Sequence, residues 1–320
     1  MQRLLGVLVM VLFIYGLLMA VNETARSVGN HKDLAQRLGF YGVLTLAVGV
    51  LIVSGGIDLS IGSVISLGAV GFALLLLRGW SPWLAAPAVV ACGAGIGLVH
   101  GLLVTYLRLQ PFLVTLCGLF VYRGLARWLS PAGSVGWPSA PAESQSAIAD
   151  LRWLLYSGEP LGVPNQLLLL LLLTVLLSLF LHGTVYGRYF YAIGYNEEAA
   201  RYAGIATNRY KVLAYVLCSA MAGLGSVLYL LNYDTATPTS AGAFLELYAI
   251  TGAVLGGCSL RGGEGSVPGM LLGAAVLPLL RSLCRFGGIT DELEYAVIGT
   301  ALLLGTVADE LLKRRGMGGK

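Results

Sequence analysis

Long runs of uncharged apolar residues recur along this chain and constrain its fold more than any other feature. Residues 166–181 carry no charge and include seven consecutive leucines, and residues 212–231 form a second uncharged run. A helix of about 20 apolar residues is long enough to cross the hydrocarbon core of a bilayer. Only 11% of the residues are charged, whereas soluble domains carry about 25%. The sequence therefore predicts a polytopic membrane protein.

The apolar runs predict an all-α fold, a polytopic transmembrane helical bundle of about ten spans that forms a single domain over residues 1–320. The first run resembles a signal peptide at residues 18–20, where small residues could mark a cleavage site, but we favour a retained span. Polar loops are predicted over residues 22–37, 130–165 and 233–244. The predicted spans cover residues 4–20, 38–54, 61–77, 83–106, 112–129, 166–181, 212–231, 246–260, 267–280 and 295–312.

The distribution of positive charge predicts the orientation of the bundle. An even number of spans places both termini on the same side of the membrane. If that side is the cytoplasm, the cytoplasmic loops hold more lysine and arginine residues than the outer loops, in agreement with the positive-inside rule. We therefore predict cytoplasmic N- and C-termini and a cytoplasmic location for the polar segment at residues 194–205.

A short polar helix is predicted over residues 196–203, between two apolar runs. Asn196 can cap this helix, because its side-chain oxygen can accept a hydrogen bond from the first turn, and Gly204 suits a left-handed end. Glu197 and Glu198 fall in the first turn, where the helix dipole favours anions. A length of roughly 10–12 Å is far too short to cross a bilayer. The helix is therefore either a solvated connector or a surface onto which a soluble partner docks.

Two glycine-rich segments, residues 54–64 and 256–269, interrupt the apolar pattern and share a faint internal similarity. Membrane helices break only where protein or a water-filled path satisfies the freed backbone groups. Ser266 is expected to cap the helix after the second segment. Asp58, in the first segment, is flanked on both sides by long apolar stretches, and an ionisable group at this depth is a functional candidate. It could equally cap a helix or form a structural ion pair, with Arg123 as a possible partner.

Several catalytic and cofactor motifs are absent from the sequence. It holds no Walker motif, no HExxH, no GxSxG and no EF-hand loop, and its five cysteines show no paired spacing. We therefore predict no enzymatic activity, no metal and no cofactor. Ion-coupled carriers usually hold several acidic residues at membrane depth, but here Asp58 is joined only by Glu246 near the end of a span. This scarcity favours an energy source on another chain and a docking role for the short polar helix.

Four motifs in sequence order resemble those of the membrane permease subunits of bacterial ABC importers for sugars, of the ribose/galactofuranose type. Residues 55–63 (GGIDLSIGS) are similar to the family's GGIDLSVGS, and residues 111–126, which hold PFLVTL and YRGLA, are similar to its PPFIxTLG and YRGLA. Residues 194–205 (GYNEEAARYAGI) are similar to GxNxxAARxSGI, and the fourth motif is the second glycine-rich segment. The resemblance extends over residues 38–312.

The resemblance implies a subunit of an ATP-driven importer in the inner membrane that translocates a monosaccharide, with ATP hydrolysis on a separate chain. The implied partners are cytoplasmic ABC ATPase subunits, a periplasmic or lipoprotein sugar-binding protein, and a second permease copy or paralogue, with no nucleic acid. The short polar helix would be the coupling helix that meets the ATPase. Its predicted coupling residues are Gly194, Asn196, Glu197, Glu198, Ala199, Ala200, Arg201, Gly204 and Ile205.

The resemblance and the first glycine-rich segment together predict where solute passes. The residues expected to border this translocation path are Asp58, Ser60, Ser63, Phe112, Thr115 and Arg123. Two alternatives in function stay open. The chain could be a secondary carrier that works without ATP, or an ABC permease for a non-sugar solute such as an amino acid or a nucleoside.

Overall fold

The computed structural model describes residues 2–131, 133–160, 162–290, 293, 296–300 and 303, and these residues are overwhelmingly helical. The all-α class predicted from the sequence is confirmed. The helices are α1 (Gln2–Val21), α2 (Val28–Val53), α3 (Ile61–Leu77), α4 (Pro82–Thr105), α5 (Pro111–Leu129), α6 (Ala142–Arg152), α7 (Asn165–Gly183), α8 (Val185–Tyr195), α9 (Glu197–Tyr202), α10 (Thr207–Tyr233), α11 (Leu245–Leu255) and α12 (Val267–Phe286).

Among the described residues, seven helices are long and apolar enough to cross a membrane: α1, α2, α4, α5, α7, α10 and α12. Helices α3 and α11 are apolar but shorter. Helix α11 ends at Leu255, before the end of the span expected at residues 246–260, because Gly256 and Gly257 follow it and Gly257 has a positive φ of 94°. The span expected at residues 295–312 lies mostly outside the described residues, although residues 296–300 are helical.

Helices α2 and α10 form the centre of the bundle. In an apolar stretch of 18 residues in α2, 83% of the residues are buried. Helix α10 packs against α2, α3 and α4. Small residues allow α4 and α10 to approach closely, since a Cβ atom added to Gly93 would lie only 3.1 Å from the Cα atom of Gly223. Close backbone packing through glycine is a common way for membrane helices to associate.

The segment between α5 and α7, called the α6 segment below, is folded. The prediction of a polar loop over residues 130–165 is therefore wrong. It contains α6, a 3₁₀ turn at Trp137–Ser139 and a π-helical turn at Trp153–Ser157. A two-residue strand, β1 (Val135–Gly136), pairs antiparallel with β2 (Thr235–Ala236) after α10. Ile148 and Leu151 of α6 are buried in a cluster with apolar residues of α3, α4 and α10. This short apolar stripe was hidden by the polar composition of the segment.

The loop predicted over residues 22–37 is also largely helical. A 3₁₀ turn at Glu23–Arg26 leads to Ser27, whose side chain caps α2 by accepting a hydrogen bond from the backbone N–H of Asn30 at 3.2 Å. Helix α2 thus begins ten residues before the predicted span, at Val28 rather than at residue 38. The polar first turns extend the helix beyond its apolar part.

Helix α10 connects two opposite ends of the bundle. Helix α9 lies just before its first residue, whereas β2 and the α6 segment contact its last turns. Its 27 residues give a length of about 40 Å at about 1.5 Å per residue. Helix α9 and the α6 segment therefore lie at opposite ends of the helical bundle.

Candidate functional site

The predicted polar helix corresponds to α9, and its ends follow from local chemistry. The Oδ1 atom of Asn196 accepts a hydrogen bond from the backbone N–H of Ala199 at 3.0 Å. Gly204 has a φ of 85°, which glycine adopts without strain, and it follows the last turn. Ala200 is buried, so α9 rests on the bundle with one face and presents the other to the surroundings.

Ion pairs fix α9 to the beginning of α10. The carboxylate of Glu197 accepts hydrogen bonds from Arg201 at 3.0 Å and from Lys211 of α10 at 2.8 Å. Burial alone would raise the pKa of Glu197, but the hydrogen bond and charge of Lys211 and the charge of Arg201 outweigh it and lower the pKa. The ionised form of Glu197 is therefore the one that holds α9 in place.

The outward face of α9 carries large aromatic side chains that the sequence reasoning missed. Tyr202 is 91% exposed, and Tyr195, just before the helix, is 82% exposed. Glu198 is also exposed and forms no ion pair within the described residues. Tyrosine is enriched in the cores of protein interfaces. One tyrosine at each end of a short polar helix is therefore a sequence pattern that could have predicted this exposed aromatic surface.

The two glycine-rich segments meet at the last turn of α8, just before α9. The backbone N–H of Gly263 donates a hydrogen bond to the carbonyl of Val53 at 2.9 Å. A Cβ atom added to Gly262 would lie 2.9 Å from the Cα atoms of both Gly194 and Gly55. We call this contact of three backbone segments the glycine junction. It joins the last turn of α8, just before α9, to both glycine-rich segments, a link between distant parts of the chain that the sequence did not predict.

Asp58 lies fully buried within the first glycine-rich segment. Its Oδ1 atom accepts hydrogen bonds from the backbone N–H of Ser60 at 2.8 Å and from the Ser60 hydroxyl at 2.6 Å. The hydroxyl of Ser219 on α10 donates to Oδ2 at 3.4 Å, and the Nδ1 atom of His100 on α4 lies 3.7 Å from Oδ2. Ser60 is the N-cap residue of α3, but its side chain makes no capping bond because it points to Asp58.

His100 extends this polar cluster to α5. Its Nε2 atom lies 2.9 Å from the hydroxyl of Tyr122. Asp58, His100 and Tyr122 therefore connect the first break with α4 and α5, and His100 is buried within an otherwise apolar helix. The sequence offered one signal for His100, a lone histidine within a predicted span.

Arg123 does not pair with Asp58. Its Nη1 atom donates hydrogen bonds to the carbonyl oxygens of Pro238 at 3.2 Å and Ala241 at 2.5 Å, in the connection between α10 and α11. Phe112 lies eleven residues earlier on the same helix, about 16 Å away along the helix axis at about 1.5 Å per residue. The six predicted path residues therefore occupy different depths of the bundle.

The other predicted path residues differ in exposure. Ser63 and Thr115 are buried, whereas Phe112 is 54% exposed. The hydroxyl of Thr115 donates to the carbonyl of Pro111 at 2.9 Å, within its own helix. The hydroxyl of Ser63 makes no hydrogen bond within the described part of the chain. Among the predicted path residues, Asp58 and Ser60 are the pair that the structure joins by hydrogen bonds.

A comparison of the chain with known protein families agrees with its motifs, its interrupted helices and its helical bundle. The model of the family described as "Branched-chain amino acid transport system / permease component" matches residues 32–306. The chain belongs to this family. As a member, it is a permease component of a transport system, and its long apolar helices make it a multi-pass membrane protein.

Curated relatives match this permease over most of their length. A probable ABC transporter permease protein of Sinorhizobium fredii is 35% identical over 91% of this chain and 84% of the relative. The ribose import permease protein RbsC of Escherichia coli is 31% identical over 94% of this chain and 92% of the relative. The fructose import permease protein FruF of Bifidobacterium longum is 29% identical over 88% of this chain and 78% of the relative.

Proposed function

We propose that this permease is the membrane-spanning subunit of an ATP-driven ABC importer and that it moves a monosaccharide, ribose-like in size, across the inner membrane. Two of the relatives above are named as import permeases for ribose and for fructose. Their similarity extends over nearly the whole chain, including the broken segments. The secondary carrier and the permease for a non-sugar solute receive no support from these relatives.

We further propose that α9 is the coupling helix and faces the cytoplasm, as do both chain termini. The glycine junction is the observation that carries this proposal, because it places Gly194 against both broken segments. The exposed side chains of Tyr202 and Glu198 provide a surface for a soluble partner. Force applied to α9 by ATPase subunits would reach the broken segments through backbone contacts.

The translocation path is proposed to run past Asp58, Ser60, Ser63, Phe112, Thr115 and Arg123. Four of these residues, Asp58, Ser60, Ser63 and Thr115, are buried in this conformation. Solute would therefore reach them only after the first broken segment moves. A second permease copy or paralogue would complete the path, and a periplasmic or lipoprotein sugar-binding protein would deliver the sugar.

Variants of α9 test the coupling role. We expect Arg201→Glu, Ala200→Trp and Tyr202→Ala to reduce co-purification of the ATPase subunits and ATP-driven sugar uptake in proteoliposomes. Loss of one interface anchor such as Tyr202 would weaken assembly by about tenfold or more. Trp80→Ala is the control, because Trp80 is an exposed aromatic residue, 49% exposed, in the connection between α3 and α4, at the other end of α3 from the glycine junction.

Two outcomes would contradict this proposal. Wild-type levels of assembly and uptake in Arg201→Glu and Ala200→Trp would exclude α9 as the coupling helix. Gradient-driven sugar uptake by the purified chain alone, without ATPase subunits, would instead identify a secondary carrier.

A further inference from the structure

A polar and aromatic cavity of about 210 Å³ opens between the beginning of α2, the end of α10 and the π-helical turn at Trp153–Ser157. A volume of about 10–15 Å³ is enough for one water molecule, so the cavity has room for a ligand of several non-hydrogen atoms. The lining side chains that matter here are Asp33, Gln36, Arg37, Tyr156, Asn232 and Tyr233. None of them belongs to a sequence motif described above.

The cavity lies at the end of the bundle opposite to α9. Asn232 and Tyr233 are the last residues of α10, whereas α9 lies before its first turn, about 40 Å away along the axis. If α9 faces the cytoplasm, as the proposed function requires, the cavity faces the side from which solute arrives. The outer position of the cavity thus rests on the proposed function.

The polar groups of the cavity suit a neutral ligand with many hydroxyl groups. The side-chain amides of Gln36 and Asn232 line the cavity, and each amide offers both donors and acceptors. Asp33 and Arg37 contribute one negative and one positive charge and form no ion pair with the described residues. Because these two charges balance, the cavity has little preference for an anion or a cation.

Aromatic rings supply the rest of the lining. Tyr156 and Tyr233 are partly exposed beside the amides, and Phe40 and Tyr41 lie buried at the inner end. Small-molecule sites commonly combine aromatic walls with a few placed polar groups. Sugars present both apolar C–H faces and hydroxyl groups, so they match such a lining better than a purely polar or purely apolar ligand does.

The wall that carries Tyr156 is held in a fixed position. Arg152 forms an ion pair with Asp234 at 3.2 Å, donates to the carbonyl of Leu231 at 3.0 Å and lies 5.6 Å from the centre of the Tyr156 ring. Lys32 and Glu159 form a further ion pair nearby. Single π-helical turns often occur at functional sites, and this one places Tyr156 in the cavity wall. The cavity is therefore a built feature of the fold.

The inner end of the cavity is closed in this conformation. Tyr41 is buried there, and its hydroxyl accepts a hydrogen bond from Arg281 at 2.5 Å. The guanidinium of Arg281 also lies 5.0 Å from the centre of the Tyr248 ring. A ligand in the cavity would consequently be held at the outer face and would not pass directly inward.

We propose that this cavity, lined by Gln36, Tyr156 and Asn232, is a binding site for a neutral monosaccharide on the outer face of the permease. It lies within one chain, beneath the α6 segment, and is separate from the Asp58 cluster. Sugar released near the outer face would occupy it before the broken segments open.

Saturation-transfer NMR on the full permease in nanodiscs tests this binding directly, with D-ribose and D-fructose as probes. We expect transfer to the C–H protons of at least one of these sugars in the wild type. Asn232→Leu and Gln36→Leu should weaken the binding about tenfold, because each removes hydrogen bonds to the ligand. Glu143→Leu is the control, since Glu143 is an exposed residue of α6 at the same face and does not line the cavity.

Three results would overturn the inference: no transfer to either sugar, equal binding by Asn232→Leu and the wild type, or stronger binding of glycerol 3-phosphate than of both sugars. The last result would identify a site for a phosphorylated headgroup. ATP-driven uptake by the wild-type complex is measured in parallel. Absence of monosaccharide uptake would refute the proposed function, whereas normal uptake with unchanged binding in the variants would refute the cavity site alone.

Discussion

At the scale of single residues, Asp58 is a buried carboxylate whose neighbours satisfy it. A buried charge is tolerated only when it is hydrogen-bonded or paired. Two hydrogen bonds from Ser60 occupy Oδ1, while Oδ2 faces Ser219 and His100. This geometry serves the beginning of α3, and it also leaves an ionisable group inside the bundle, within the first glycine-rich segment. Structural and transport roles are therefore both compatible with the contacts, and substitution can separate them.

Asp58→Asn should keep the fold and lose transport. The amide oxygen of asparagine can still accept the two hydrogen bonds from Ser60, so thermal unfolding in nanodiscs should change little. Asp58→Ala removes the acceptor and should cost about 1–3 kcal/mol, because the donors of Ser60 are left unpaired in a buried site. ATP-driven uptake by the Asp58→Asn complex is the deciding measurement. Normal uptake together with a normal melting temperature would remove Asp58 from the path.

The sequence predicts the importance of Asp58 but not its surroundings. An acidic residue between two apolar stretches is visible in a single sequence. His100 and Tyr122, by contrast, come from α4 and α5, and only the packing of these helices onto the break brings them to the carboxylate. For the same reason the sequence could not show that Arg123, a possible partner of Asp58, instead binds the connection between α10 and α11.

At the scale of elements, α9 is a very short helix that depends on external contacts. Six residues are too few to form a stable isolated helix. The cap from Asn196 and the ion pairs of Glu197 with Arg201 and Lys211 supply the support that the helix itself lacks. The position of α9 should therefore respond to the ionisation of Glu197.

Acid should loosen α9. The pKa of Glu197 is lowered in the folded protein, so its contribution to stability is present above the ordinary carboxylate pKa and is lost as the pH falls through the lowered value. Hydrogen exchange of the α9 amides, corrected for the intrinsic rate at each pH, should show less protection at pH 3.5 than at pH 7. Glu197→Gln should show low protection at both pH values. Equal protection of the wild type across this range would contradict the anchoring role.

A pair of glycines provides a test of the glycine junction. Gly262 and Gly257 both have positive φ values, 87° and 94°, but only Gly262 has backbone atoms within 3 Å of an added Cβ atom. Alanine should cost about 1–2 kcal/mol at both positions because of the left-handed backbone. Gly262→Ala should cost about 1–3 kcal/mol more because of overpacking. The two variants are compared by thermal unfolding and by ATP-driven uptake, and equal behaviour would show that the junction is unimportant.

Elements could be predicted where one physical signal dominates. The apolar run over residues 61–77 coincides with α3, and Asn196, Gly204 and Ser266 mark helix ends through local hydrogen bonding and backbone geometry. Helix α6 was missed because its buried residues are few and surrounded by polar ones. The glycine junction was missed because nothing in either glycine-rich segment indicates that Gly194 packs between them.

At the scale of the whole molecule, apolar side chains cover much of the outer surface. Phe120 and Trp128 of α5 and Leu172 and Leu179 of α7 are each more than half exposed. Such a surface is unusual for a soluble monomer and is expected for helices that face lipid or a second permease. The bundle that holds the buried polar clusters and the cavity thus has an apolar surface, which a membrane or a partner protein is needed to cover.

Helix α10 runs as one continuous helix of 27 residues from the α9 end of the bundle to the cavity end. A helix that tilts as one body about a point near its middle moves its two ends in opposite directions. Lys211 near one tip is tied to α9, and Asn232 at the other tip lines the cavity. If α9 meets an ATPase and the cavity holds a sugar, as proposed above, a small tilt of α10 would couple the two sites without any other element between them.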